Sequence, residues 1–196
     1  MLSIFTFQLL LLLFFKIKLK MLRFLSAFTA LLLLTRQCSS QAAPPSPSGG
    51  GAPSSGESEE YLAAHNQARA EVGVGPLQWS PALAKSASLA ARLQRDRQNC
   101  SFANLANSRY GGNQLWAGGL KVTPRAAVEA WIEEKQYYNY QNNSCAADRR
   151  CGVYTQVVWR KSLDLGCAQA SCPKAQSSLT ICFYNPPGNV VGEKPY

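Results

Sequence analysis

Histidine is almost missing from this chain: its 196 residues include a single one, His65. Any nucleophile working through an imidazole base has only that residue to use, and no Gly-x-Ser-x-Gly stretch accompanies it. Cys-x-x-Cys pairs are absent as well, which with a lone histidine argues against zinc held by the cysteines. No apolar run reaches the roughly 20 residues of a membrane span; the longest, Met1–Phe15 and Phe24–Leu34, are separated by Lys16, Lys18, Lys20 and Arg23. Acidic residues are few, 11 against 20 basic ones, for a net charge of +9. Five of the basic residues lie within the first 36 positions, which leaves a surplus of four on the rest. No Lys/Arg cluster is interleaved with aromatics, so a nucleic-acid partner has no support. The surplus suits an anionic surface such as lipid headgroups or cell-wall polymers, or simply a solvated exterior.

What is present is cysteine: seven, of which six fall between Cys100 and Cys182. An even set in one compact domain behind a secretory segment reads as three disulfides, with 15 possible pairings. The secretory reading rests on residues 1–42, where a basic start, an apolar centre and small residues follow one another, with Met21 as an alternative start. The odd Cys38 is lost if cleavage falls between Ser40 and Ala43. Residues 43–58 are rich in Pro, Ser and Gly and read as a linker. Residues 59–185 form the domain, and 186–196, with three prolines and two glycines, a surface-laid tail.

Within the domain, Ser58 is the expected cap of a first helix running to about Val72, with His65 on or beside its packed face. Ser80-Pro81 opens a second helix that ends at Asn99-Cys100, and Thr123-Pro124 a third that reaches about Tyr138. Glu134 borders an apolar face of the third, where a carboxylate needs a partner; His65 is the candidate. Gly111-Gly112 and Gly118-Gly119 read as breakers around a short strand, Asn113–Trp116. Cys151–Trp159 alternates and is rich in β-branched and aromatic residues, so it reads as a strand about which the rest is organised. Leu165–Ala170 and Leu179–Tyr184 read as two more. Helices first and strands later give α+β with a mainly antiparallel sheet.

Five stretches in one order resemble the CAP superfamily, and most of all the plant pathogenesis-related proteins of class 1. They are His65-Asn66-x-x-Arg69, Pro76-Leu77-x-Trp79, Trp131-x-x-Glu134-x-x-Tyr137-Tyr138, Gly152-x-Tyr154-Thr155-Gln156-Val157-Val158-Trp159 and Pro187-Gly188-Asn189. The resemblance implies a three-layer α-β-α sandwich bridged by Cys100–Cys172, Cys145–Cys151 and Cys167–Cys182. It also implies a cleft of two histidines and two glutamates that holds a divalent metal in some members. Here His65 and Glu134 match that set, while Gly112 and Val153 stand where a glutamate and a histidine belong. Two ligands of four do not make a zinc site, so no metal and no cofactor is expected, and a metal-dependent hydrolase is only a remote alternative.

The function that the resemblance implies is that of a secreted, monomeric, non-enzymatic defence protein of the apoplast or cell wall, antimicrobial and binding a sterol or other lipid. The groove would lie near Trp116, Gly118 and Gly119, with Trp116 as plain core packing the competing reading. The alternative is a precursor whose tail, cut between Asn185 and Pro186, signals through a receptor. Asn142 and Asn99 each begin an acceptor sequon for glycosylation; Asn99 adjoins a bridged cysteine and is expected to be the less accessible of the two.

Overall fold

The structure is a computed structural model and describes residues 52–196; the expected signal region, its alternative start, Cys38 and most of the linker lie outside them. The first helix, α1 (Ser55–Ala70), starts earlier than Ser58. Ser54 caps it and Glu57 reaches back to the Ser54 amide, a reciprocal pair that satisfies two of the free donors of a helix start. Next come β1 (Gln78–Trp79), α2 (Pro81–Arg97, capped by Ser80) and β2 (Gly111–Gly118). Gly111 and Gly112 are therefore inside a strand of eight residues and do not break it. Helix α3 (Pro124–Ile132, capped by Thr123) stops short of the expected Tyr138 and tightens into a 3-10 turn, Glu133–Tyr137. A small ribbon follows, β3 (Tyr138–Asn139) with β4 (Ser144–Cys145). Then come α4 (Gly152–Val157), β5 (Asp164–Cys172) and β6 (Ser177–Asn185).

The main sheet has the order β1-β5-β6-β2, with β1 parallel to β5 and the other two pairs antiparallel. Strands β5 and β6 alternate strictly. Leu165, Cys167, Cys182 and Tyr184 face a core with Ala64, Ala68, Val128, Trp131, Tyr154 and Val157 from α1, α3 and α4. Ala168, Ala170, Leu179, Ile181 and Phe183 face a second core with Leu83, Ala87 and Ala91 of α2. These are the three expected layers. A Cβ on Gly166 would meet the backbone of Leu83 and Ala84, so this glycine, with the alanines above it, lets α2 lie close against the sheet. The bridges are Cys100–Cys172, Cys145–Cys151 and Cys167–Cys182.

The largest departure from expectation is α4. The stretch Cys151–Trp159 is helical at its centre, and its alternation leads nowhere: Tyr154 through Trp159 are all buried, on every side. β-Branched residues give up little in a helix when packing decides the conformation. Here Tyr154, Val157 and Val158 pack into the first core, and charged residues hold the main chain at both ends. Glu134 Oε2 accepts from the Val153 amide at 3.1 Å, and Arg69 Nη1 donates to the carbonyls of Val157 at 3.1 Å and Trp159 at 2.8 Å. A six-residue helix exposes more main-chain donors and acceptors than it satisfies. An acid at the start and a cation at the finish meet that need with the favourable sign.

A sealed histidine and a helix gripped at both ends

His65 has no access to solvent. Its Nδ1 lies 2.7 Å from the Tyr61 carbonyl, one turn earlier on α1, and its Nε2 lies 2.8 Å from the Tyr184 hydroxyl. A carbonyl only accepts, so Nδ1 carries the proton and Nε2 accepts from Tyr184. Asn113 Nδ2 completes the set, donating to the Tyr184 oxygen at 3.2 Å and to the Val153 carbonyl at 2.8 Å. Both ring nitrogens are thus occupied, and neither is offered to a substrate or a metal. Burial holds the ring neutral, with its pKa pulled down to about 4, and pushes the Tyr184 hydroxyl up.

The expected pairing of His65 with Glu134 does not form. Glu134 is half-exposed and turned to the amide of Val153. A side chain at Gly112 would not point towards either of them: it would meet Leu105 and Phe183, on the α2 side of the sheet, whereas His65 is on the other. The four positions matched to the metal cleft are therefore not gathered at one point. Among the described residues no three of His, Cys, Asp and Glu lie close enough to hold a metal. The residues present do not fit the divalent ion, and no chemistry through one follows.

This burial has a pH signature. An unfolded histidine titrates near 6.5, while the folded ring resists protonation until about 4. Its contribution is complete above about pH 6.5 and is lost as the pH falls towards 4, by roughly 3 kcal/mol in all. Denaturant unfolding at pH 7 and pH 4.5 measures it. The wild-type chain should lose about 2–3 kcal/mol more over that interval than His65→Gln, whose amide does not titrate. Equal losses would mean that the ring is not sealed.

Arg69 stands one turn after His65 in the His65-Asn66-x-x-Arg69 motif, and the fold gives it a role that the motif does not state. It is almost fully buried and donates to four backbone carbonyls, adding Gly75 at 2.7 Å and Ser162 at 3.0 Å to the two at the end of α4. Among the described residues no carboxylate pairs with it, and burial lowers its pKa to about 10. The tail is bound to the same helix. Thr155 Oγ1 donates to Asn189 Oδ1 at 2.7 Å, the Gly188 amide to Gln156 Oε1 at 3.0 Å, and Asn189 Nδ2 to the Gly152 carbonyl at 2.8 Å. Further along, the Arg160 amide donates to the Pro195 carbonyl at 2.7 Å, Pro195 is buried, and Tyr196 stacks on Tyr140 at 4.6 Å. Asn185 ends β6 opposite Asp164, and its carbonyl accepts from the Leu163 amide at 2.9 Å.

The remaining expected sites are scattered over the surface. Trp116 is 50% exposed on the edge strand β2 and is not core packing. Gly118 and Gly119 follow it, exposed, and Gly119 takes a φ of +87° that suits glycine. The loop beyond them is pinned by Ser171 Oγ to the Leu120 carbonyl at 2.6 Å and by Gln169 to both main-chain groups of Val122. Two cavities stand apart from Trp116 and these glycines. One, of about 450 Å³, lies between the end of α2 and the β5–β6 turn; the other, of about 150 Å³, lies between α1 and α3. Asn142 is exposed, and so is Asn99, which the neighbouring bridge does not shield.

The profile of CAP, the cysteine-rich secretory protein family, matches residues 62–184. The chain belongs to the CAP family. It is 67% identical to the STS14 protein of Solanum tuberosum over 139 residues, 71% of this chain and 65% of that protein, so it spans just under two thirds of that relative's length. It is 45% identical to pathogenesis-related protein 1C of Nicotiana tabacum, over 70% of this chain and 80% of that one. Among solved CAP structures, the Schistosoma mansoni venom allergen-like protein 4 superposes with a TM-score of 0.56 at 26% identity, covering 73% of this chain and 95% of its own. The structure of NaASP2 with Zn2+ superposes with a TM-score of 0.57 at 21% identity, over 74% and 90% of the two chains, and shows a shared fold. The zinc belongs to that protein.

Proposed function

We propose that this CAP protein is a secreted, monomeric defence protein of the plant apoplast or cell wall that works by binding and not by catalysis, with a sterol or other lipid as ligand and antimicrobial action as the outcome. The observation that carries the non-catalytic part is the sealing of the only histidine, both of whose nitrogens are spent on Tyr61 and Tyr184. The defence role is supported by its likeness to proteins named as pathogenesis-related. Export is supported by three bridges, with glycosylation at exposed Asn142 and Asn99 in keeping with it.

The lipid reading leans on Trp116. A half-exposed indole beside a pinned glycine-bracketed loop is a large apolar surface with a fixed frame. Equilibrium binding of a radiolabelled sterol to the purified chain tests it. Saturable binding should weaken about tenfold in Trp116→Ala, in line with the truncation of one aromatic anchor, while the melting temperature stays put. No saturable binding, or an unaffected variant, rejects it.

The alternative, a precursor of a signalling peptide with its own receptor, gives the tail a second use. In the intact fold Pro186–Tyr196 is a strap across α4, and the bond before Pro186 sits at the end of a paired strand. Release would therefore follow local opening of that end, and peptide cut from a folded chain would stay seated.

A further inference from the structure

The two outer layers of the sandwich carry opposite charge. Helix α2 has four basic residues, Lys85, Arg92, Arg95 and Arg97, against one acid, Asp96. On the other side, α1, α3 and the 3-10 turn have six acids against three basic residues. One of those three, Arg69, is buried. The polarity is invisible in the overall charge, because the topology sorts the charges by layer.

The outward stripe of α2 is also apolar where it should be wet. Ala87, Ala91 and Leu83 point to the sheet. One turn pattern round, Lys85, Leu89, Leu93 and Arg97 face solvent, with Arg92 partly exposed between them. Leu89 is 55% and Leu93 47% exposed. They stand four apart, so they form one ridge. Phe102, 58% exposed, follows the helix just past the Cys100 bridge, next to Ala103, whose main chain is held by Gln114 of β2. Two leucines flanked by cations on one helix face, with an aromatic near its end, is the make-up of a surface that lies on a bilayer. Single exposed leucines need no explanation; a ridge bordered by Lys85, Arg92 and Arg97, with Asp96 the one acid of the helix and turned to Arg95, does. The cleft at the end of α2 adds Lys174 to the same edge, whereas its Arg95 is already held by Asp96 at 2.7 Å.

We propose that the exposed face of α2, centred on Leu89 and Leu93 with Lys85, Arg92 and Arg97 around them, docks the protein on anionic phospholipid bilayers. The leucines enter the headgroup boundary and the cations meet the phosphates, leaving the acidic layer to face away. This contact is interfacial and needs no sterol, so it stands or falls apart from the Trp116 reading.

The test is sedimentation of the purified chain with sterol-free vesicles of phosphatidylcholine alone or with a third of phosphatidylglycerol. Binding should require the anionic lipid and fade when salt rises from about 0.05 to about 0.5 M. Lys85→Glu with Arg92→Glu should weaken it about tenfold or more, since each cation near an anionic surface matters by roughly a fivefold factor. Leu89→Ser with Leu93→Ser should weaken it about fivefold or more, and circular dichroism should show both pairs folded. Charge reversal on the opposite layer, Glu59→Lys with Glu133→Lys, should not weaken it. Equal binding to neutral vesicles, or no effect of either α2 pair, would overturn the proposal. So would a preference for soluble polygalacturonate that the leucine pair leaves untouched, because that would make the face a polyanion site.

Discussion

Arg69→Met should destabilise the folded chain by about 4 kcal/mol or more, through the loss of donors to several buried carbonyls at once. The side chain is 1% exposed and serves Gly75, Val157, Trp159 and Ser162. Methionine fills much the same volume, so the change isolates the hydrogen bonds from the packing. Each abandoned acceptor is left without water, and that costs about 1–3 kcal/mol before any relaxation. Arg69→Lys should recover only part of the loss: an ammonium is a point charge and cannot reproduce a planar fork that spans two directions. In a domain of this size the methionine variant should melt roughly 10 °C lower. Arg160→Met is the control. Arg160 is exposed, its amide and not its side chain holds Pro195, and the change should stay within about 0.5 kcal/mol. Urea unfolding of the three variants decides the matter. A loss below about 1 kcal/mol for Arg69→Met would mean that the four carbonyls find other donors.

The same residue shows why some of this fold can be read from the chain and some cannot. Ser80-Pro81 and Thr123-Pro124 announce α2 and α3 because a cap and a fixed φ are properties of the residues themselves. Leu165–Ala170 and Leu179–Tyr184 announce β5 and β6 as short runs rich in apolar residues, but with both faces buried by different layers the runs do not alternate in polarity, so which residue faces which layer comes from the fold. Ser54-x-x-Glu57 is a capping box of the same kind, but it lies within a Pro-, Ser- and Gly-rich stretch whose composition points to a linker. Nothing local announces α4. Its six residues are β-branched and aromatic in the main, and what holds them helical is core packing together with Glu134 from the 3-10 turn after α3 and Arg69 from α1, whose backbone partners are 19 and 88 positions away along the chain. His65 follows the same rule. Helical spacing puts it on a packed face, yet only the fold brings Tyr184 and Asn113 to it and takes Glu134 elsewhere. The ridge of Leu89 and Leu93 is legible as four-apart spacing on a basic helix, but only the packing of the alanine face against the sheet decides that this ridge is left to solvent.

Replacing Cys100 and Cys172 together by alanine should cost about 4 kcal/mol, more than the loss of either other bridge. The three bridges differ in the chain they close: 72 positions for Cys100–Cys172, 15 for Cys167–Cys182 and 6 for Cys145–Cys151. In the chain-entropy account the last of these is worth about 2 kcal/mol and the middle one about 3. Local context sharpens the ranking. Cys167 and Cys182 already stand opposite each other in the β5–β6 register, so β pairing holds them together without sulfur. Cys100 has no such support. It and Asn99 both take left-handed conformations, with φ of +61° and +46°, which L-residues avoid. They close the end of α2, where the Cys100 amide donates to the Gln94 carbonyl at 2.9 Å, and the bridge ties that end to the end of β5. Once it is gone, the end of α2 and the loop that brings Leu105 and Tyr110 over the second core are free to lift. Hydrogen exchange should therefore rise first over residues 98–110 in the Cys100→Ala/Cys172→Ala chain, while α4 and the tail stay protected. If Cys145→Ala/Cys151→Ala proves the costlier pair, the grip on α4 and not the closure of the long loop governs stability. The opening should then begin at Pro186–Tyr196, the strap that α4 holds.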